Sequence, residues 1–122
     1  MSNTNSVVMP SRLDSHIRKE IDGFSVDEVV LSGGSFENAE VVGKTALGVF
    51  TKLDLSEGAT ESHEAAGIVY GWFDASDADV NGLAHVRLTA VEGGELKFPA
   101  AATPAQRLAF LEQLEALNII VR

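Results

Sequence analysis

The chain has 122 residues, 45% of them apolar, and 18 acidic residues against nine basic ones give a formal net charge of −9. This length suits one domain with a substantial core, and the absence of cysteine excludes disulfides, thiolate metal sites and cysteine nucleophiles. An acidic surface repels nucleic acid, and no apolar run reaches the ~18–20 residues of a membrane helix. We therefore predict no nucleic-acid partner and no membrane partner, and the polar start MSNTNSVVMP predicts no signal peptide.

The first 25 residues are rich in Ser, Asn and Thr and show no sustained apolar period. We predict a flexible N-terminal arm over residues 1–25 and a single β-rich domain over residues 26–122. Within the arm, Ser6-Val7-Val8-Met9 has the character of a strand that adds to the exposed sheet edge of a partner. The basic residues of the arm have two interpretations, a solvated segment or contacts for an acidic partner. They are Arg12, Arg18 and Lys19.

Short runs typical of strands begin at residue 26. Val26–Leu31 predicts the first strand, which a Ser-Gly-Gly-Ser turn closes. A second strand is predicted from about Val41 to Leu53, with Gly43 and Gly48 as bulges.

A partial phosphate-loop signature lies inside this second run. Gly43, Lys44 and Thr45 match the end of G-x-x-x-x-G-K-[ST], but Asn38 stands where the first glycine is needed. The residues after Thr45 favour a strand over the helix that the loop requires. We interpret the run as a glycine-punctuated strand with Lys44 in solvent, and we predict no nucleotide or other cofactor.

Residues 66–73 are apolar at both alternating positions. This pattern predicts a strand covered on both faces, one by the core and the other by the core or a subunit interface. Trp72, with Tyr70, has the alternative interpretation of a ligand platform, although aromatic residues on an apolar strand more often form core or interface.

Residues 84–90 alternate between apolar and polar side chains. The alternation predicts a half-buried strand with His85 and Thr89 on its wet face. The Glu-Gly-Gly-Glu sequence at 92–95 predicts a hairpin into a strand at 96–98.

The C-terminal segment carries strong local signals. Thr103-Pro104-Ala105-Gln106 combines a cap, a proline at the first helical position and a capping box, and predicts a helix at about 104–117. Asn118 suits the left-handed residue that ends a helix, and 119–121 resumes as a strand. The predicted apolar stripe comprises Leu108, Phe110, Leu111, Leu114 and Leu117, while Glu112, Gln113 and Glu115 face water.

A possible calcium loop follows residue 76. Asp77, Asp79, Asn81 and Gly82 match positions 1, 3, 5 and 6 of the EF-hand pattern, but Leu88 stands at position 12, where a carboxylate is required. The flanking segments favour strands rather than helices. A plain turn explains these residues, and a small calcium- or ligand-binding β domain using Asp77–Gly82 is kept as the alternative.

No catalytic constellation emerges. His16, His63 and His85 lie far apart without metal-ligand spacing and are interpreted as surface residues, and no Gly-x-Ser-x-Gly elbow is present. We assign no catalytic and no metal residues and predict that the protein is not an enzyme. A hydrolase would require a serine, a histidine and a carboxylate to converge in space.

The ending LKFPAAATPAQRLAFLEQLEALNIIVR resembles that of the head decoration protein D family of tailed bacteriophages. Upstream, residues 64–69 and 74–80 resemble the family's Ala-x-Gly-Ile stretch and its Asp-Ala-x-x-Ala-Asp turn. Phe98 stands where the family commonly has Trp, and it is also a large apolar residue. Asn118 stands where the family commonly has Gly, and it also tolerates the conformation that ends a helix. The resemblance covers about residues 41–122.

This resemblance implies a mainly β (α+β) fold of the β-clip kind that assembles as a homotrimer. It implies a virion structural protein, made in the host cytoplasm, that sits on the outside of the phage head at threefold and quasi-threefold positions and stabilises the shell against DNA pressure. The partner is the major capsid protein, against which the arm becomes ordered. The expected capsid contacts are Ser6, Val7, Val8, Met9, Arg12, Arg18 and Lys19, and the expected trimer-interface or core residues are Trp72 and Phe73.

Overall fold

The computed structural model describes residues 17–19, 25–56 and 62–122. These residues form mainly strands with one C-terminal helix, which confirms the mainly β, α+β class. None of the helices in these ranges has the length and apolar character needed to cross a membrane. The elements are β1 (Ile17–Lys19), β2 (Val26–Leu31), β3 (Gly34–Phe36), β4 (Val41–Lys44), β5 (Phe50–Lys52), β6 (Gly67–Val69), β7 (Phe73–Ala75), β8 (Val80–His85), β9 (Thr89–Val91), a 3-10 turn at Gly93–Glu95, α1 (Pro104–Ala116) and β10 (Ile119–Val121).

Five strands close into a barrel in the order β2-β5-β4-β6-β8. The longest pairing is antiparallel and runs along all of β2 and β8, from Val26 opposite His85 to Leu31 opposite Val80. The separate pair β3 and β7 is also antiparallel. The described residues form two core clusters, of which the first lies under α1. The second is enclosed by the barrel strands together with β3 and β7, and it comprises Val29, Leu31, Phe36, Val42, Phe50, Val69, Ala75 and Ala84.

A three-stranded sheet with the order β1-β9-β10 lies beneath α1. Strand β9 pairs antiparallel with β1 and parallel with β10. The first core cluster joins this region to barrel strands β4 and β6. It comprises Val41, Leu53, Ala65, Ile68, Val91, Leu96, Ala102, Phe110, Leu114 and Ile119.

Strand β1 falls inside the predicted arm, at residues for which no strand is predicted. It is three residues long, and its pairing with β9 shifts register between Ile17 and Lys19. So short a segment cannot show a period of two. The division of the chain at residue 25 stays a prediction.

The predicted strand at 41–53 is wrong as a single element, because β4 and β5 form an antiparallel hairpin. Its turn is closed by the Gly48 N–H, which donates to the Thr45 carbonyl at 2.9 Å. Gly48 has φ 88 and lies at the left-handed position where a three-residue hairpin loop forms a G1 bulge. Gly43 lies within β4, where an added Cβ would be 2.6 Å from the Ser62 carbonyl oxygen. No helix follows Thr45, and Lys44 is exposed as expected.

The predicted strand at 66–73 is divided at Gly71, which has φ 117. Asn38 is fully buried, and its Oδ1 accepts a hydrogen bond from the Gly71 N–H at 2.9 Å. The first part, β6, belongs to the barrel and is buried at all three positions, whereas β7 pairs with β3. The break thus sends one apolar run into two sheets.

The predicted strand at 84–90 is also wrong, because β8 ends at His85 and β9 begins at Thr89. Leu88 has φ 48, and its carbonyl accepts a hydrogen bond from Ser25 Oγ at 2.9 Å. This corner reverses the expected faces. His85 and Thr89 are buried, and Leu88 is 40% exposed.

The predicted hairpin at 92–98 is not formed. The 3-10 turn replaces the hairpin turn, and β9 uses both its edges for β1 and β10. Lys97 instead forms an isolated parallel bridge with Glu40.

The helix prediction is confirmed at both ends. At the start, the Gln106 N–H donates to Thr103 Oγ1 at 3.1 Å, and Gln106 Oε1 accepts a hydrogen bond from the Thr103 N–H. At the end, Asn118 has φ 63, the left-handed conformation expected there. Leu108 does not belong to the buried stripe, since it is 58% exposed. It lies two residues from buried Phe110, about 200° around the helix. The prediction that Gln113 faces water is also wrong, because its Oε1 accepts a hydrogen bond from the Ala65 N–H at 2.8 Å.

Candidate partner-binding surfaces

The predicted capsid-binding segment lies largely beyond the described structure. Ser6-Val7-Val8-Met9 and Arg12 fall outside the described residues, while Arg18 and Lys19 belong to β1. Since β1 occupies one edge of the β1-β9-β10 sheet, the arm joins the domain at that edge. The contacts predicted for these seven residues stay predictions.

Trp72 and Phe73 are both half-buried. Phe73 packs against the second core cluster. Trp72 is not among the described side chains that form or pack against either cluster. Phe73 therefore contributes to the core, and an interface role for either residue stays a prediction.

One end of the barrel is an open cavity of about 450 Å³. The cavity is lined by β2 residues 27–30, by the end of β4 and the start of β5, and by residues next to the start of β6 and the end of β8. Apolar side chains lining the cavity include Val29, Phe50, Ala66 and Val86. We call this cavity the barrel mouth. It is a surface feature that the sequence analysis missed, because five separated segments build it.

The charges lining the barrel mouth balance. Asp27, Glu28, Lys44 and Arg87 contribute two acids and two bases. Arg87 donates from Nη1 to Asp27 Oδ1 at 3.0 Å and from Nη2 to Asp27 Oδ2 at 2.7 Å. These hydrogen bonds hold the pKa of Asp27 below its usual value and raise that of Arg87. The cavity therefore has a formally neutral lining that combines apolar and polar side chains.

Leu47 lies at the tip of the β4–β5 hairpin, at the same end of the barrel. It is 92% exposed. The turn is held by the Gly48 bond to Thr45 O and by the Val49 N–H, which donates to Thr45 Oγ1 at 3.2 Å. This tip is not predicted, because Leu47 falls inside the run interpreted as a continuous strand. The signal that identifies it is Thr45-x-x-Gly48, a turn pattern with glycine at the left-handed position.

A second apolar groove, of about 220 Å³, lies between α1 and β10. Leu108, Leu111 and Val121 line it together with Glu112 and Glu115. We call it the helix groove. Unlike the barrel mouth, its lining carries two acids and no base.

The segment at Asp77–Gly82 does not form the continuous loop that the calcium alternative requires. Asp77 and Asp79 are exposed in the turn before β8, but Asn81 and Gly82 are part of β8 itself. An added Cβ on Gly82 would lie 2.5 Å from Leu31 Cδ1, so packing accounts for this glycine. Within residues 17–19, 25–56 and 62–122, no three His, Asp or Glu side chains are grouped as a metal site.

Ser62, His63 and Glu64 line one cavity of about 350 Å³. The Ser62 hydroxyl is hydrogen-bonded to that of Thr51, and His63 Nε2 is 4.0 Å from Glu64 Oε2. In the part of the chain that is described, no hydrogen bond joins Ser62 to His63, so the proton path of a serine triad is not assembled. His85 is buried against Tyr70 and is not the surface residue expected, whereas His16 lies outside the described residues.

Comparison with known families identifies the class of protein. A family model described as bacteriophage lambda head decoration protein D matches residues 7–119. The chain therefore belongs to this family, which confirms the resemblance found from residues 41–122 and extends it toward the N-terminus. Among curated proteins, no sequence matches the chain significantly. The family is one of structural capsid proteins rather than enzymes, and it supports a role in decorating the phage head by binding the capsid.

Proposed function

We propose that this protein is a homotrimeric head decoration protein that binds the outside of the expanded phage capsid at threefold and quasi-threefold positions. There it stabilises the shell against the pressure of packaged DNA, after synthesis in the host cytoplasm. The observation that carries the proposal is the family match over residues 7–119. The protein acts as a structural component and not as an enzyme, and its β-clip classification remains a prediction.

Binding to one state of the shell provides the mechanism. A trimer that binds the expanded shell and not the unexpanded one stabilises the expanded state by its binding free energy at every site. The net charge of −9 supports a position on the outer face, because an acidic protein is repelled by the DNA inside.

The arm supplies the capsid contact in this proposal. Ser6-Val7-Val8-Met9 adds as a strand to the major capsid protein, and Arg12, Arg18 and Lys19 contact acidic neighbours. Placement of β1 on the domain supports this role, because it leaves sixteen residues ahead of the sheet. In extended form they reach about 50 Å. Trp72, half-exposed and outside both clusters, is assigned to the trimer interface, with Phe73 beside it.

The test combines light scattering after size exclusion with pelleting on undecorated expanded heads. We expect a trimer that co-sediments with the heads. Deletion of residues 1–16 keeps β1 and is expected to abolish co-sedimentation without changing the trimer.

A matched pair of arm variants localises the contact. Val8→Asp places a charge in the predicted added strand and should weaken binding, whereas Asn3→Asp adds the same charge outside it and should not. Full binding by the deletion variant would remove the arm from the mechanism. A monomer that ignores the heads would contradict the whole proposal.

A further inference from the structure

We propose that Leu47 of one subunit inserts into the barrel mouth of a second copy of the chain, and that this contact holds the oligomer together. The inference rests on the proposed trimer and adds a second pair of contacting surfaces to the interface region assigned to Trp72 and Phe73.

Leu47 has the properties of an interface anchor. It is the most exposed large apolar side chain among the described residues, at 92%. Its turn is fixed by the two hydrogen bonds that Thr45 accepts from Gly48 and Val49. A side chain presented by an ordered turn loses little conformational freedom on binding. Burial removes an apolar group from water.

The barrel mouth has the properties of the matching socket. Its cavity of about 450 Å³ exceeds the volume of one leucine side chain, and Val29 and Phe50 form an apolar floor continuous with the second core cluster. The Leu47 of the same subunit stands at this end of the barrel but does not fill the cavity, as its exposure shows. The socket is thus open to a side chain from another copy.

Charge favours a second copy as the occupant. Two copies that each carry −9 repel unless they meet through surfaces without excess acid. The turn at residues 45–49 contains no charged side chain, and the mouth lining carries two acids and two bases. The helix groove, with Glu112 and Glu115 and no base, brings like charges together in any self-contact. Of these two grooves, the barrel mouth is therefore the one suited to self-association.

The arrangement also fits rotational symmetry. In the proposed trimer, Leu47 of each subunit contacts the barrel mouth of the next subunit, so the contact runs head to tail rather than reciprocally. Such a contact closes into a ring when the rotation between neighbours is 120°. Each subunit then provides one leucine and receives one.

The first experiment compares Leu47→Ser with Leu108→Ser by light scattering and sedimentation over a range of protein concentrations. Both changes remove an exposed leucine, and circular dichroism checks that both variants fold. Leu47→Ser is expected to weaken association by about tenfold or more per contact, as loss of a buried leucine predicts. Leu108→Ser is expected to associate like the unmodified chain.

The second experiment uses the absence of native cysteine. A chain carrying both Leu47→Cys and Ala66→Cys should form covalent trimers under oxidising conditions, visible on a non-reducing gel. A chain carrying Leu108→Cys and Ala66→Cys is the control and should stay uncrosslinked.

The outcomes separate this inference from the proposed function. A trimer that Leu47→Ser leaves intact, and that the first cysteine pair does not crosslink, would overturn the Leu47 contact and leave the trimer proposal standing. An unmodified chain that is monomeric at every concentration would overturn both. Crosslinked trimers together with dissociation of Leu47→Ser would support the contact.

Discussion

The helix region and the barrel build their cores in opposite ways. Under α1, Phe110 and Leu114 fill the space above β9 and β10 with bulky side chains. In the barrel, backbones approach so closely that Gly43 has no room for a Cβ beside the Ser62 carbonyl. The helix region is stabilised by bulky side chains that fill its core. This part of the barrel instead requires a residue without a side chain at position 43. Substitutions that shrink or enlarge a residue should therefore separate the two regions.

The largest effect is expected in the helix region for Leu114→Ala. Leu114 is fully buried in the first cluster, and truncation leaves a cavity between α1 and the sheet. We expect the free energy of unfolding to fall by about 2–5 kcal/mol, measured by denaturant titration at one fixed protein concentration. Leu108→Ala is the control, because Leu108 is 58% exposed. Equal losses for the two variants would contradict the placement of the helix.

The matching prediction for the barrel enlarges a residue. In Gly43→Ala the new Cβ meets backbone atoms of Ser62 at 2.6 to 2.8 Å, which side-chain movement cannot relieve. We expect a loss of about 1–3 kcal/mol. Gly94→Ala serves as the control, since nothing lies within 4 Å of its added Cβ. Thermal unfolding of both variants tests the difference, and an unchanged Gly43→Ala midpoint would show that the Ser62 segment is free to move.

The same contrast explains what the sequence made predictable. The helix was predicted with its cap and its left-handed end, because Thr103, Gln106 and Asn118 act within a few residues of one another. The breaks in the apolar runs depend on distant partners. Asn38 binds Gly71 across 33 positions, and Ser25 binds Leu88 across 63. Neither Asn38 nor Ser25 lies within the run that it helps to break. The apolar runs that the local pattern predicts as single strands are therefore divided in the fold.

The candidate surfaces follow the same rule. Glu112, Glu115 and Leu108 of the helix groove were visible as helix residues, although the exposure of Leu108 depended on how α1 is oriented. The barrel mouth was not predictable, because it is assembled from five separated segments of the chain. Leu47 is an exposed tip because the 41–53 run turns at residues 45–48.

A smaller effect is expected from removing the helix cap. Thr103→Ala eliminates the Oγ1 acceptor of the Gln106 N–H and should lower the free energy of unfolding by about 0.5–2 kcal/mol. Thr103→Ser keeps a hydroxyl and should recover most of the loss. If the alanine and serine variants unfold together, the capping bond contributes nothing and the helix is held by its packing alone.

The smallest effect concerns the ion pair at the barrel mouth. Asp27 is about half exposed, and pairs of this kind stabilise folded proteins only weakly. Because Arg87 lowers the pKa of Asp27 in the folded state, its contribution is present above the ordinary aspartate pKa of ~4. It is lost as the pH falls through the lowered folded value. The Asp27→Asn variant should therefore melt slightly below the unmodified chain at neutral pH, and this gap should close in acid. Thermal midpoints measured from neutral to strongly acidic pH test this, with the exposed Asp79→Asn as the charge-matched control. A gap of constant size would mean that the pair does not contribute through the charge of Asp27.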